Sequence, residues 1–332
     1  MHRSYLLSLL FILVAAIAMA QTTTPVPAPA KGPAPVPAPA KAAPPAAGET
    51  QVPSRPVDPV MLNNQMMVTA SERIKAGALA EARKIAEDMI YGHEKITDSA
   101  QGIVRTFSSM MGKKLYEAQM KQEGRPEPVI WLQQPIADGF YFLAIIDFQE
   151  KKFADALAHI QQAIQWDPTR AAFYIERGFL MVNQPNPGSL ADIAASYLKA
   201  LELADGPEDF AGALRGLGYV YIEQNDWEGG LACYLVSLFF DPQSEAAKQE
   251  IDFIKYNRPK VFQELDGGKA VTALARRKVP TRIAPIHIQT LLQIADELSP
   301  TTQARELKAV LKRALLLDPK NETIKKRLAA LK

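Results

Sequence analysis

Four histidines and one cysteine are the residues of this chain that most readily bind metals or take part in catalysis. The histidines stand at positions 2, 93, 159 and 287, and none is spaced with Cys, Asp or Glu as a metal site requires. The Gly-x-Ser-x-Gly pattern of a serine nucleophile does not occur in the sequence. We therefore expect no metal site, no cofactor and no enzymatic activity.

The other chemistry-bearing residues also favour a structural interpretation. Asp266-Gly-Gly-Lys269 is faintly similar to a phosphate-binding loop, but it lacks the glycine spacing, the following Ser or Thr and the preceding strand. We interpret it as a turn between helices. Cys233 lies in an apolar helical stretch, where a small core residue is expected rather than a reactive thiol. His159 is expected to be a packed or half-exposed helix residue, and His287, at a helix start, is expected to be structural rather than a ligand.

The elements that position these residues are helices with a recurring end. Four stretches finish with a small residue, a few mostly apolar residues and a turn, at Ala163–Pro168, Ala200–Pro207, Ser237–Pro242 and Ala314–Pro319. The small residues that open these endings are 37, 37 and 77 positions apart. Repetition near this period is typical of stacked helical hairpins, and it predicts an all-α fold.

The stretch Asp138–Arg170 is the best-formed helical pair. Apolar residues recur at helical spacing on both sides of the polar turn Gln149–Lys152, and Asp167-Pro168 ends the second helix. The stretch resembles a tetratricopeptide repeat numbered from Ala137. The residues that match characteristic positions of that family are Phe140, Leu143, Ala144, Ala156, Ala163 and Pro168. Asp147 departs from the pattern, because the eleventh position is usually aromatic.

Three further stretches resemble the same repeat. The second copy starts near Ala171 and has a turn lengthened by Asn183–Gly188, and the third spans residues 211–244. A weaker fourth copy spans residues 288–321, with Leu307 where a small residue is expected. The resemblance implies a right-handed superhelical solenoid that binds proteins or peptides and carries out no reaction.

The remaining segments complete the predicted organisation. A helical hairpin is expected at residues 61–90, either as a degenerate repeat or as an unrelated pair, and a further helix at about 99–122. Residues 322–332 are expected to form a capping helix. The predicted divisions are 1–20, a signal peptide; 21–60, a Pro/Ala-rich disordered linker; 61–135, an N-terminal helical region; 136–257, an acidic repeat array; 258–287, a basic interruption; and 288–332, a C-terminal repeat and cap.

In the tetratricopeptide family, the fifth, ninth and thirteenth positions usually point into the concave groove. The resemblance carries these positions to Tyr141, Ile145, Gln149, Ile175, Phe179, Asn183, Arg215, Tyr219 and Glu223. Tyr141 and Ile145 stand where the family's carboxylate clamp has Lys and Asn, which argues against capture of a C-terminal carboxylate. An apolar or extended peptide is expected instead, with Arg215 and Gln149 fixing its orientation. The alternative is that residues 61–123 fold back and fill the groove.

Charge divides the chain into an acidic and a basic part. Residues 136–257 carry 8 basic and 18 acidic residues, whereas residues 258–332 carry 16 and 7. The candidate anion contacts in the basic part are Arg276, Arg277, Lys278 and Arg282. This part either binds an anionic partner such as lipid headgroups or an envelope polymer, or forms a solvated face, or pairs with the acidic array of the same or a neighbouring molecule. Nucleic acid is not an expected partner.

The N-terminal region has the pattern of an export signal. A short basic segment, an apolar run over residues 6–18 and Ala18-Met-Ala20 predict cleavage before Gln21, with an uncleaved membrane anchor as the alternative. Residues 21–60 hold 12 of the 25 prolines. Extended, such a linker spans about 120 Å at most.

Two functions remain open from the sequence. The first is an exported periplasmic or cell-envelope scaffold that holds a protein or peptide in the concave groove. The second is an envelope protein that binds an anionic polymer or a membrane through its basic C-terminal region.

Overall fold

The computed structural model describes residues 59–99 and 101–331, so the predicted signal peptide and nearly all of the predicted linker lie outside the described residues. The fold is predominantly helical, as the sequence predicts, with fifteen α-helices among these residues. Within the described part of the chain, no helix combines the length and the apolar character needed to cross a membrane.

The helices are α1 (Pro59–Lys75), α2 (Leu79–Ile90), α3 (Met110–Gln122), α4 (Ile136–Gln149), α5 (Phe153–Trp166), α6 (Ala171–Asn183), α7 (Leu190–Leu203), α8 (Pro207–Glu223), α9 (Trp227–Phe240), α10 (Glu245–Asn257), α11 (Pro259–Glu264), α12 (Gly267–Arg276), α13 (Pro285–Glu297), α14 (Ala304–Leu317) and α15 (Glu322–Ala329). A short 3₁₀ helix covers His93–Lys95, and the strands are β1 (Ile103–Arg105) and β2 (Val129–Trp131).

Consecutive helices between α1 and α9 pack as hairpins: α1 with α2, α4 with α5, α6 with α7, and α8 with α9. The second helix of each hairpin also packs against the first helix of the next one. One continuous apolar core runs through these helices and extends to α12.

Three helices end with the same backbone geometry at an Asp-Pro pair. Asp167, Asp241 and Asp318 follow α5, α9 and α14 with φ/ψ of −132°/84°, −135°/78° and −137°/78°. In each case the Asp N–H donates to the carbonyl of the small residue four positions earlier, at 2.9, 2.9 and 3.1 Å. The following proline keeps the Asp out of the helical region. Three of the four recurring endings in the sequence therefore share one local structure, whereas the ending at Ala200–Pro207 differs, with Ala204 at φ/ψ of −60°/118°.

The first helices of two hairpins also end alike. Lys151 and Asn225, which follow α4 and α8, have positive φ values of 63° and 60°. In both turns the N–H of the next residue donates to the carbonyl five positions back, at 2.7 and 2.8 Å. This left-handed ending satisfies helix carbonyls that have no partner within the helix.

Small residues allow the close approach of helices in the centre of the array. The Tyr197 ring of α7 lies between Gly178 of α6 and Gly216 of α8, and a Cβ atom added at either glycine would overlap that ring. Gly218 lies against Tyr234 and Cys233 of α9 in the same manner, with a built Cβ 3.0 Å from Tyr234 Cζ. The glycines therefore set the spacing between neighbouring helices.

The prediction of a helix at about 99–122 is wrong for the residues before Met110. Residues 103–105 form β1, which pairs in parallel with β2 in the register Ile103 with Val129, and α3 crosses between the two strands. The β-branched pair Ile103-Val104 favours a strand. Helix α3 begins only after Ser109, whose Oγ accepts from the Gly112 N–H at 3.2 Å and caps the helix.

The predicted basic interruption is itself helical. Within it, α12 packs against α9 and joins the main core through Ala270, Ala273 and Leu274. Asp266 caps α12 by accepting from the Lys269 N–H at 2.9 Å. The stretch Asp266–Lys269 is therefore the N-cap and first turn of α12, and the prediction of a turn between helices is wrong from Gly267 onward.

The C-terminal hairpin, α13 with α14, folds back towards α3. Met111 of α3 lies in one apolar cluster with Leu291, Ile294, Leu307 and Leu311 of this hairpin. Lys114 Nζ and Glu297 Oε1 lie 2.7 Å apart across the same contact. Segments about 180 residues apart in the sequence are thus packed together.

Candidate functional site

The structure buries most of the predicted groove. Five of the nine candidate side chains are at most 7% exposed, and these are Tyr141, Ile145, Ile175, Phe179 and Arg215. Asn183 and Tyr219 are half-buried, and Gln149 and Glu223 are exposed. The predicted set is therefore divided between the interior and the surface, and its buried part offers no open apolar groove in this conformation.

Aromatic packing between neighbouring first helices closes the inner face. The rings of Tyr141 and Phe173 are 5.2 Å apart, and those of Phe148 and Phe179 are 5.3 Å apart. Burial raises the pKa of Tyr141 well above its usual range, and its Oη has no hydrogen-bond partner among the described residues. These side chains belong to the core that joins α4 to α6.

Arg215, expected to orient a bound peptide, is engaged inside the protein. Its Nη1 donates to Asp241 Oδ2 at 3.1 Å, and its side chain is 7% exposed. Burial lowers the pKa of Arg215, and Asp241 opposes that effect. The pair ties α8 to the residue that ends α9, so the charge of Arg215 serves the fold rather than a ligand.

The accessible part of the predicted set lies at one edge of the array. Gln149, Asn183 and Glu223 are the last residues of α4, α6 and α8, and Tyr219 lies one turn before Glu223. Since Phe148 and Phe179 touch, the ends of α4 and α6 are neighbours. We call this edge, with the turns at residues 150–152, 184–189 and 224–226, the open edge.

The opposite edge consists of the turns at residues 167–170 and 204–206, and we call it the closed edge. The segment between α2 and α4, which contains β1, α3 and β2, is called the N-terminal insertion. It covers the first turn of the closed edge, where the Thr106 N–H donates to Trp166 O at 2.9 Å and the Ser108 N–H donates to Asp167 Oδ2 at 3.2 Å. Asp167 is buried there, and burial raises its pKa to about 6. Other segments of the chain therefore cover most of the surface of the turn at residues 167–170.

The C-terminal hairpin covers the second turn of the closed edge. His287 Nε2 lies 3.1 Å from Glu202 O, and Arg313 forms an ion pair with Asp205. His287 is buried, and burial lowers its pKa. The two edges of the array therefore differ: α3, β1 and the C-terminal hairpin cover the closed edge, whereas the open edge is largely exposed apart from Glu150, which contacts Arg83, and Asp226, which contacts Arg277.

A charged network lies behind the first turn of the open edge. Asp147, which stands where a tetratricopeptide repeat usually has an aromatic residue, is 1% exposed. Its carboxylate accepts from Arg83 Nη2 of α2 at 2.6 Å and lies 2.6 Å from His159 Nδ1 of α5. Arg83 also contacts Glu150 at 2.9 Å. No Ser, Thr or Cys in the described chain is hydrogen-bonded to His159, and the network joins three helices.

The remaining reactive groups lie in the interior or apart from one another. Cys233 is fully buried, which raises the pKa of its thiol. Among residues 59–99 and 101–331, no group of three or more His, Cys, Asp or Glu side chains is placed to hold a metal ion.

Two of the four predicted anion contacts are bound to the acidic array. Arg277 Nε and Nη2 each lie 2.6 Å from an oxygen of Asp226, and Nη2 lies 3.0 Å from Glu228. Hydrogen bonding to Asp226 raises the pKa of Arg277. Arg276 Nη2 lies 2.8 Å from Glu228. The basic interruption thus pairs with the acidic array of the same molecule, which is one of the alternatives left open by the sequence.

The other two predicted anion contacts, Lys278 and Arg282, are exposed. Neither has an ion pair among the described residues, so both remain accessible to solvent and to any partner. They lie beyond α12, in the connection that leads to the C-terminal hairpin.

A shallow pocket adjoins Arg276, between α11, α12 and the start of α9. Val261 and Leu265 form its apolar part, and Lys269 and Arg276 are its cations. Lys269 Nζ donates to Glu264 O at 2.9 Å, and Arg276 is held by Glu228. Both cations therefore have partners within the protein.

Sequence reasoning missed Arg83, Asp205, Asp226 and Arg313, although each makes an ion pair that fixes an edge of the array. For Asp205, Asp226 and Arg313 the sequence signal is the opposite net charge of the acidic array and the basic C-terminal part, whereas Arg83 lies outside both parts. No protein-family model matches this chain, and a search of curated proteins finds no similar protein.

Proposed function

We propose that this protein is an exported, non-catalytic scaffold of tetratricopeptide-type hairpins that holds a protein or peptide partner at its open edge. The observation that carries this proposal is the difference between the two edges. The chain covers the closed edge with its own insertion and C-terminal hairpin, whereas Gln149, Asn183 and Glu223 remain accessible at the ends of successive first helices.

Recurring local structure supports the assignment to stacked repeats. The Asp-Pro endings of α5 and α9 share one geometry, and so do the left-handed turns after α4 and α8. Both pairs are separated by 74 residues, close to twice the tetratricopeptide period of about 34. Arrays of this kind usually act by presenting an extended surface to another protein.

The chemistry of the open edge defines the partner that it fits. Asp155, Asp192 and Glu223 are exposed carboxylates at or beside this edge, and none has an ion pair among the described residues. Tyr219 adds a half-buried ring to the same edge. We therefore propose an extended segment that carries basic side chains and at least one apolar residue that packs on Tyr219.

Affinity capture from a native envelope extract tests this function. The parent chain is compared with Tyr219→Ala and Glu223→Lys, and co-purifying proteins are quantified by mass spectrometry. We expect both variants to lose the same partner by about tenfold or more, as substitutions at the centre of an interface do. Asp252→Lys makes the same charge change at an exposed carboxylate of α10 and should retain the partner. Equal recovery by the parent and both edge variants would refute binding at this edge.

A further inference from the structure

The outward face of α14 carries a row of cations. Arg305, Lys308 and Lys312 are all exposed, and Leu316 extends the row with 63% of its surface exposed. Their spacing of three, four and four residues keeps them on one side of a helix. At 1.5 Å per residue, the row is about 16 Å long.

Packing fixes the direction in which this row points. Leu307, Leu311 and Ala314, on the opposite side of α14, are buried against α13 and α3. Arg313 lies at the flank of the helix and pairs with Asp205 of the array. Arg305, Lys308 and Lys312 are therefore directed away from the rest of the molecule.

The charge of this row is not neutralised within the protein. Among the described residues, Arg305, Lys308 and Lys312 have no ion pair. The nearest acidic residue in sequence, Glu306, lies about 100° around the helix from Arg305. By contrast, Arg276, Arg277 and Arg313 of the same basic part are each paired with the acidic array. Lys278 and Arg282 of the basic part are also unpaired among the described residues, but they lie outside a helix, whereas Arg305, Lys308 and Lys312 are aligned on one helical face.

We propose that this face of α14 binds an anionic membrane surface. Each Lys or Arg near an anionic bilayer contributes about 1 kcal/mol of attraction. Leu316 favours lipid over a soluble polyanion, because an exposed leucine at the end of a cationic row is stabilised by entering the acyl boundary. This inference is independent of the open edge, so either proposal can fail without the other.

Vesicle sedimentation of the full chain tests the proposal. Binding is compared between phosphatidylcholine vesicles and vesicles with about 30% phosphatidylglycerol. Any contribution of the apolar run at residues 6–18 acts on both vesicle types, and the difference between them reports the charge. The variant Arg305→Gln/Lys308→Gln/Lys312→Gln should bind the anionic vesicles about 100-fold more weakly. High salt should produce a similar loss in the parent.

The matched control removes the same number of charges elsewhere. Lys75, Lys84 and Lys121 are exposed and have no ion pair among the described residues. Their triple glutamine variant should bind anionic vesicles like the parent. Equal loss in the control, or unchanged binding by the α14 variant, overturns the proposal. Leu316→Ser should weaken the remaining binding without changing its salt dependence.

A footprint on the parent protein gives a readout that does not depend on any variant. Anionic vesicles, but not neutral ones, should protect Lys308 and Lys312 from acetylation, whereas Lys84 and Lys121 stay reactive. Unprotected Lys308 and Lys312 overturn the proposal.

Sedimentation velocity without vesicles tests whether a second copy of this chain binds to the same face. A concentration-dependent oligomer that the α14 variant abolishes would assign this face to a second copy and would likewise overturn it.

Discussion

His159 Nδ1 lies 2.6 Å from one carboxylate oxygen of Asp147, and Arg83 Nη2 lies 2.6 Å from the other. The Asp147 side chain is 2% exposed, whereas that of Arg83 is 24% exposed and also contacts Glu150. The Arg83–Asp147 ion pair is therefore asymmetric: water can solvate the Arg83 guanidinium in part, but it cannot reach the Asp147 carboxylate.

This asymmetry predicts unequal costs of removing the two partners. Arg83→Met leaves Asp147 as a buried anion and should lower the free energy of unfolding by about 3 kcal/mol. Asp147→Asn leaves Arg83 with Glu150 and water and should cost about 1 kcal/mol. The double variant should be more stable than Arg83→Met alone. Urea unfolding measures the free energy of unfolding of all three variants. If the two single substitutions cost the same free energy and the double variant loses the sum of the two, the asymmetry is contradicted.

The glycines that face Tyr197 give a second prediction. Gly216→Ala places a methyl group inside the Tyr197 ring and should destabilise the protein by about 2–3 kcal/mol. Gly212, one turn earlier in α8, provides the control because a built Cβ makes ordinary contacts there, with Ile175 Cδ1 at 3.5 Å and Arg215 Nη2 at 4.0 Å. Gly212→Ala should be neutral or stabilising by up to about 1 kcal/mol. Thermal unfolding compares the two, and equal melting temperatures would show that α7 and α8 are not held at this distance.

A third prediction concerns Glu176 of α6, which is 1% exposed and whose Oε1 has no hydrogen-bond partner among the described residues. Burial raises its pKa from 4.5 to about 8. Between these values the folded protein keeps a proton that the unfolded chain has released. The free energy of unfolding should therefore fall as the pH rises from about 4.5 to about 8.

Glu176→Gln removes this titration and should be more stable than the parent at about pH 9, by on the order of 3 kcal/mol. The two proteins should differ little at about pH 4. A smaller slope up to about pH 6 should persist in the variant, because burial also raises the pKa of Asp167 and of Asp209 to about 6. Urea unfolding across this range provides the measurement, and parallel curves for the two proteins would contradict a buried neutral Glu176.

The fourth prediction concerns the contact between the C-terminal hairpin and the closed edge. Arg313→Ala removes the ion pair with Asp205 and should increase amide hydrogen exchange in α13 and α14, with little change in α8 and α9. Because both partners are partly exposed, the loss of global stability should stay near 1 kcal/mol. Arg327→Ala, which removes a pair with Asp296 inside the hairpin region, provides the control. Identical exchange patterns in the two variants would show that Arg313 does not hold the hairpin in place.

The sequence predicts the helical hairpins well because their signals are local. The Asp-Pro endings at 167, 241 and 318 depend on neighbouring residues, and so does the helical spacing of the apolar residues. The strands at 103–105 and 129–131 could not be predicted from local signals, since three residues are too few to show an alternating pattern.

Two features of the candidate site could not be predicted for a different reason. A family position indicates which side of a helix Tyr141 or Ile145 lies on, but the burial of that side depends on contacts with other helices. The fold-back of the C-terminal hairpin depends on residues such as Lys114 and Glu297, which are 183 positions apart and leave no local signal. Opposite net charge predicts that acidic and basic parts attract, but it does not select Asp226 and Arg277 as partners.

The contact between α3 and α13 has a consequence for cooperativity. In a simple stack of repeats, each unit stabilises only its neighbours, so an end can fray without disturbing the other end. Here the apolar contact of Met111 with Leu291 and the Lys114–Glu297 pair join the C-terminal hairpin to α3, so the chain between them forms a closed loop. Loss of the last helices is therefore felt at α3 and β1, and this long-range contact must form before α3 and the C-terminal hairpin protect each other.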